Sequence, residues 1–163
     1  MKRTIWIVVL LGAGLLASGA LVGQTENKVA YPEGYRAWNH VKSMVVMKGH
    51  VHYDAFGGIH HVYANDKALA ALKSGEPFPE GAVLVFDLLE EGIENGAIIE
   101  GSRKVIGVME KDPDRFGETA GWGFEDFKQG DPDKRLVTDM REQCMSCHET
   151  QKAHDYVYSV YRQ

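Results

Sequence analysis

The spacing of hydrophobic residues predicts one helix near the start of the globular part, followed by several short strands. Tyr35, Trp38 and Val41 recur at helical spacing, which predicts a helix over residues 33–43. Beyond it the apolar residues come in short β-branched or aromatic stretches separated by glycines, a pattern typical of strands joined by turns. The strands predicted in this part of the chain cover residues 44–47, 51–53 and 59–63.

The middle of the chain predicts a second helix and then more strands. Asn65 is a suitable N-cap for a helix that carries Ala68, Leu69 and Leu72 and ends at Gly75. A Pro-Glu-Gly turn then precedes a buried strand over residues 82–89. Further strands are predicted at 96–100 and 104–110.

A last helix is predicted before the C-terminal cysteines, because Leu136, Val137 and Met140 share a helical face that runs towards Cys144. The predicted fold class is therefore α+β, a predominantly antiparallel β-sheet with flanking helices and a C-terminal helix that carries both cysteines.

The first twenty residues have the features of a secretory signal. Lys2 and Arg3 precede an apolar run over residues 5–16, and small residues up to Ala20 predict cleavage there. If it is not cleaved, the stretch 5–22 approaches the roughly 18 to 20 apolar residues of a membrane anchor. Either way we expect an exported protein, in the bacterial periplasm, with residues 21–163 as a single domain.

The charge of the expected mature chain argues against two classes of partner. Without Lys2 and Arg3, 16 basic side chains face 23 acidic ones, a formal charge of −7. Nucleic acids and anionic lipids are bound by basic patches, so neither is an expected partner.

Both cysteines of the chain lie in one motif, Cys-x-x-Cys-His, formed by Cys144, Cys147 and His148. A zinc site would need further cysteine or histidine ligands at ligand spacing, and the sequence has no second cysteine pair. A disulfide or a redox-active dithiol is possible in an exported protein, but neither has any use for His148. The motif is the signature of covalently attached c-type haem, which we favour, with the disulfide as the main alternative.

Helical spacing explains why a haem would use this motif. On a helix Cys144, Cys147 and His148 point from one face, so two thioethers and an axial histidine can reach the same haem. A sixth iron ligand would have to come from upstream or from His154, which is more simply a surface residue. Met140 and Met145 lie on or beside the same helix, and we expect both to pack rather than to bind iron.

The sequence resembles the cytochrome P-460 family, which includes the β-sheet cytochromes c′ (cytochrome c′-beta), over residues 31 to 161. The resemblance rests on the order and spacing of YRAW (35–38), FGGIHHVYAND (56–66), FPEGAVLV (78–85), EKDPDRF (110–116), Trp122, Phe124, and CMSCH followed by HDYVY (144–158). It implies a periplasmic protein with one covalent haem c, often a homodimer, and an open or water-bound site on the far side of the iron.

The resemblance also implies roles for three residues of that far side. The hydroxylamine-oxidising branch cross-links its haem to a lysine whose position is Phe86 here, so the crosslink is expected to be absent. The cytochrome c′-beta branch has phenylalanine there and a second phenylalanine over the site, for which Phe56 is the candidate. His60 stands where the hydroxylamine oxidisers place an arginine, and could donate a hydrogen bond, shuttle protons or bind iron. Plain core packing is the alternative for both phenylalanines, and a surface position is the alternative for His60.

These features favour a haem protein that binds a small gas, most simply nitric oxide, since apolar rings over an iron offer no hydrogen bond to a charged ligand. Two other functions stay open: an enzyme that oxidises hydroxylamine, and an electron carrier with a redox partner protein, if the iron has a sixth ligand from the chain.

Overall fold

The computed structural model describes residues 28–162, and the predicted signal segment lies outside them. Within this part, five strands form one antiparallel sheet in which each strand pairs with the next along the chain, in the order β1-β2-β3-β4-β5. The strands are β1 (Asn39–Val46), β2 (Gly58–Ala64), β3 (Val83–Glu94), β4 (Ala97–Lys111) and β5 (Trp122–Lys128). The sheet and its flanking helices confirm the predicted α+β class.

Helical elements connect and flank the strands. Helix α1 (Tyr53–Phe56) joins β1 to β2, α2 (Asp66–Ser74) joins β2 to β3, and 3-10 turns cover Tyr35–Ala37 and Gly117–Thr119. What we call the C-terminal helical segment comprises a π-helical turn (Arg141–Met145), α3 (Ser146–His148) and a 3-10 turn (Glu149–His154).

Helix α2 begins and ends where the sequence predicted. The side chain of Asn65 accepts a hydrogen bond from the Ala68 amide at 2.9 Å, which caps the first turn. Gly75 ends the helix in the left-handed region, with φ of 75°, where a residue without Cβ is favoured.

The predicted helix over residues 33–43 is wrong. Gly34 starts only a short 3-10 turn, after which β1 runs from Asn39 and pairs with β2 as far as Val46. The helical spacing of Tyr35, Trp38 and Val41 was coincidental, because pairing with a distant strand outweighs a weak local pattern.

Two of the strand predictions are also corrected. Residues 51–53 do not form a strand but lead through a turn into α1. The strands predicted at 96–100 and 104–110 are one continuous strand, β4, and the irregularity lies in its register with β3, which shifts on either side of Leu89. The long β3–β4 hairpin can therefore bend without breaking either strand.

The last predicted helix starts later than expected. Leu136 and Val137 lie in an extended segment whose amides donate to the Asp126 carbonyl and the Glu125 carboxylate of β5. The helical turns begin at Arg141, because the Asp139 carboxylate caps the free amides there, with 2.9 Å to the Arg141 nitrogen.

The sheet has two covered faces. One face, which we call the inner face, packs against α2 and the C-terminal helical segment through a cluster that includes Ala68, Leu84, Trp122, Phe124 and Met145. The other packs against the N-terminal part of the described chain, with Val29, Tyr35, Val85, Ile106 and Phe127 at its centre. Among residues 28–162, no helix has the length and hydrophobicity needed to cross a membrane.

Candidate functional site

His148 lies in α3 with one ring nitrogen committed and the other available. Its Nδ1 donates to the backbone carbonyl of Tyr156 at 2.7 Å, so the Nε2 lone pair is free to bind a metal. The ring lies between Phe124 and Tyr158, whose ring centroids are 5.0 and 5.2 Å away. Burial lowers the pKa of His148, which favours the neutral imidazole that metal ions require.

Cys144 and Cys147 are free thiols one helical turn apart, on the C-terminal helical segment that carries His148. Cys147 is exposed, whereas Cys144 is half-buried. Burial, with the nearby Asp126 and Glu125 carboxylates, raises the pKa of Cys144 to about 12. Such a thiol stays protonated at neutral pH, which is the opposite of what a reactive dithiol pair needs.

The C-terminal chain folds back over this motif. The hydroxyl of Tyr158 donates to the Cys147 carbonyl at 2.9 Å and lies at the same distance from the Thr150 hydroxyl. Met145 is buried in the cluster of the inner face, and Met140 packs against it, as predicted for both methionines. His154 is exposed.

Phe86 of β3 lies beside Phe56 and His60, which are four residues apart where α1 leads into β2. The Phe86 ring is 6.2 Å from the Phe56 ring and 4.6 Å from the His60 ring, both in edge-to-face geometry. Phe56 is 43 % exposed and Phe86 is partly exposed, so both rings present surface.

His60 sits deeper than the two phenylalanines and is only 1 % exposed. Its Nε2 lies against the Phe56 carbonyl, which can only accept, so Nε2 carries the proton. Nδ1 is then an acceptor, and in the described part of the chain it is the one buried side-chain nitrogen or oxygen without a hydrogen-bond partner. Burial lowers the pKa of His60, which keeps the ring neutral.

The phenylalanine pair and His148 lie over the same face of the sheet. Phe86 pairs with Gly107 and Gly107 with Asp126, while in the next row Leu84 pairs with Met109 and Met109 with Phe124. Since alternate residues of a strand share a face, Phe86 and Asp126 point to the side where Phe124 contacts His148.

Asp126 is a residue of this face that the sequence analysis missed. A Cβ on Gly107 would lie 2.8 Å from its Oδ1 and 3.2 Å from the Phe86 ring, so the absent side chain lets the two approach each other. No group among residues 28–162 donates a hydrogen bond or pairs with this half-buried carboxylate. Burial and the neighbouring Glu125 raise its pKa to about 6. The alternation of Trp122, Phe124 and Asp126 was a signal that could have found it.

The residues present fit a haem better than a metal held by protein ligands alone. Within the described ranges, no three His, Cys, Asp or Glu side chains are placed to hold a metal ion together. A histidine with free Nε2 could instead bind a haem iron whose porphyrin supplies the other ligands, and two thiols on the same helical segment could form the thioethers of a c-type haem.

These features define the class of c-type haem proteins, and a comparison with known families agrees. The Cytochrome P460 family model matches residues 32–159, most of the chain, and the protein belongs to that family. Membership implies haem binding. No curated protein matches the chain.

Proposed function

We propose that the protein is a periplasmic mono-haem c-type cytochrome that binds a small gas, nitric oxide above all, at an apolar site on the far side of the iron. The observation that carries the proposal is His148, whose Nδ1 is hydrogen-bonded to Tyr156 while Nε2 stays free beside two thiols of the same helical segment.

Three residues would hold the haem. Cys144 and Cys147 would form its thioethers, and His148 would bind its iron through Nε2. When bound, the haem would supply an iron able to take up a small ligand. Asp139 and Tyr158 hold the helical turns that carry the two cysteines. Asp139 caps the first of these turns, and Tyr158 donates a hydrogen bond to the Cys147 carbonyl.

Phe86 and Phe56 support a neutral diatomic ligand. Their rings contact each other on the inner face and present hydrocarbon surface, which offers no hydrogen bond to an anionic or strongly polar ligand. Nitric oxide and carbon monoxide need no such bond, so this wall selects by size and polarity.

One observation favours a second candidate, the oxidation of hydroxylamine. Asp126 places an unpaired carboxylate near Phe86, and an oxidation that releases protons needs an acceptor for them. Against it stands Phe86, since the resemblance places the cross-linking lysine of the hydroxylamine oxidisers at that position.

Electronic absorption of the purified protein in the ferric, ferrous and carbon monoxide-treated forms separates the candidates. We expect a five-coordinate ferrous haem that takes up carbon monoxide. Low-spin six-coordinate spectra in both oxidation states would favour a plain electron carrier, and a strongly red-shifted Soret band would favour a cross-linked, hydroxylamine-oxidising haem.

The attachment itself is tested by Cys147→Ala. We expect the pyridine haemochrome spectrum to shift to that of a haem with a single thioether. An unchanged spectrum and haem content would contradict the proposed attachment, whatever ligand the iron binds.

The partners proposed with this function are a redox protein that reduces the iron and a second copy of the chain. The family resemblance implies the second copy, whereas the redox protein belongs to the electron-carrier alternative. Light scattering coupled to size-exclusion chromatography tests the second, since a homodimer has twice the mass of the haem-loaded chain.

A further inference from the structure

We propose that the buried ion pair between Lys111 and Asp155 positions the Tyr156 carbonyl and thereby fixes the orientation and hydrogen bonding of His148. The inference rests on the proposed role of His148 as iron ligand and assigns positioning residues to it.

The backbone that carries this carbonyl has an unfavourable conformation. Asp155 and Tyr156 follow each other with φ of 48° and 66°, in the left-handed region that residues with a Cβ seldom enter. Two consecutive residues of this kind persist only where surrounding contacts hold them.

Asp155 makes such contacts through both its side chain and its backbone carbonyl. Its carboxylate accepts from Lys111 Nζ at 2.9 and 3.1 Å and from the Phe78 amide at 2.9 Å. Its backbone carbonyl accepts from Trp122 Nε1, also at 2.9 Å. The turn is thus tied to the end of β4, the start of β5 and the loop before β3.

Lys111 is fully engaged in this arrangement. Its ammonium also donates to the Ala120 carbonyl at 3.2 Å and lies 4.8 Å from the centre of the Trp122 ring. The side chain of Lys111 is 10 % exposed and that of Asp155 is 17 % exposed. Buried ion pairs are seldom more stabilising than apolar residues of similar size, so a positional role is a better reason for this one.

The ion pair affects His148 through the residue that follows Asp155. Tyr156 follows Asp155, and its carbonyl is the acceptor for His148 Nδ1 at 2.7 Å. This bond selects the tautomer with free Nε2 and, by polarising the ring, makes the histidine a stronger donor to a metal. Loss of the ion pair should release the turn and weaken the bond.

The test uses the full-length, haem-loaded protein with Lys111→Met. Resonance Raman of the ferrous form should show the iron–histidine stretching band at lower frequency than in the wild type. The reduction potential should become more positive, since a less polarised histidine stabilises the ferric state less.

A matched control is Arg103→Met, which breaks another partly buried ion pair of the sheet. Arg103 Nε lies 2.7 Å from Oδ1 of the fully buried Asp87, on the opposite face from Phe86. This variant should lose stability to urea while its iron–histidine band and potential stay at the wild-type values.

Lys111→Met alone leaves the Asp155 carboxylate unpaired and could fail to fold, so a second variant removes both charges. Lys111→Met combined with Asp155→Leu leaves no unpaired buried charge, and it should fold and show the same band shift. If either folded variant keeps the wild-type band and potential, the pair only tethers the chain and the inference is wrong. If instead His148→Ala leaves the wild-type band in place, the proposed iron ligand is wrong, which is a separate failure.

Discussion

At the scale of single residues, Asp126 has surroundings that conflict with its charge. Burial raises its pKa from 3.8 to about 6, and no partner among the described residues offsets that cost. The unfolded carboxyl ionises near its usual pKa, whereas the folded one keeps its proton to higher pH. The ionisation of Asp126 therefore lowers the unfolding free energy as pH rises from about 4 to 6. Above about pH 6 this loss of stability stays constant.

Asp126→Asn should remove this penalty. We expect the variant to exceed the wild type in unfolding free energy by about 1–2 kcal/mol at pH 7.5, allowing for partial exposure, and to match it near pH 4. Urea unfolding of the haem-loaded proteins at both pH values measures the difference. Because all other ionisable groups are the same in the two proteins, their contribution cancels. A difference that does not change with pH would mean that the carboxylate is stabilised by a partner.

His60 gives a second prediction at this scale, about coordination. Its Nε2 proton faces the Phe56 carbonyl, so only Nδ1 has a lone pair for a metal, and that nitrogen is buried beside Phe86 where an iron could not reach it without moving the ring. His60→Leu should therefore leave the five-coordinate ferrous spectrum unchanged. If the wild type is six-coordinate and the variant loses the sixth ligand, His60 binds the iron and gas binding is no longer the best-supported function.

At the scale of elements, the sequence predicted what local chemistry determines and missed what distant contacts determine. Helix α2 was predicted at both ends because Asn65 and Gly75 act within their own turns. Only the end of strand β1 was predicted, by the strand at 44–47, since β1's partner β2 is separated from it in sequence and the helical spacing around Trp38 was stronger locally.

The candidate site divides in the same way. Cys144, Cys147 and His148 were found because their spacing within one short segment carries the chemistry. The Tyr156 carbonyl was not, because any residue has a carbonyl and only the turn at Asp155 directs this one to His148. Backbone acceptors of this kind leave no signal in a single sequence.

The side chain of Asn65 links two secondary-structure elements, so the effect of removing it on stability can be predicted. Its Oδ1 accepts from the amides of Ala68 at 2.9 Å and Val83 at 3.1 Å, and its Nδ2 donates to the Gly81 carbonyl at 2.9 Å. Asn65 thus joins the start of α2 to the start of β3. We expect Asn65→Ala to lower the unfolding free energy by about 2–3 kcal/mol, more than a simple cap.

Chemical denaturation measures this loss, with Asn39→Ala as the control. Asn39 is exposed, and among residues 28–162 its side chain makes a single hydrogen bond, to Asp66 at 3.2 Å, so its removal should cost less than about 0.5 kcal/mol. Equal losses in the two variants would show that Asn65 does not link the two elements.

At the scale of the whole molecule, the sheet brings the two halves of the site together. Phe56 and Phe86 lie on α1 and β3, and His148 lies near the end of the chain, yet both groups lie over the inner face. The sheet order, in which each strand follows its neighbour, places β5 and the C-terminal helical segment beside β3 and β4 without a crossover. The site therefore forms only when the complete sheet has formed.

Export should be needed before this folded chain can carry its haem. If residues 1–20 direct the chain to the periplasm and haem is attached there, deleting residues 2–20 should leave a cytoplasmic protein without covalent haem. Haem-stained gels and pyridine haemochrome spectra of the two cell fractions measure this.

Replacing residues 1–20 with an established signal peptide should restore the haem. Mass spectrometry of the exported chain should find Leu21 at its start. Equal haem content after the deletion would contradict the predicted export, and recovery only with detergent, with residues 1–20 retained, would favour a membrane anchor.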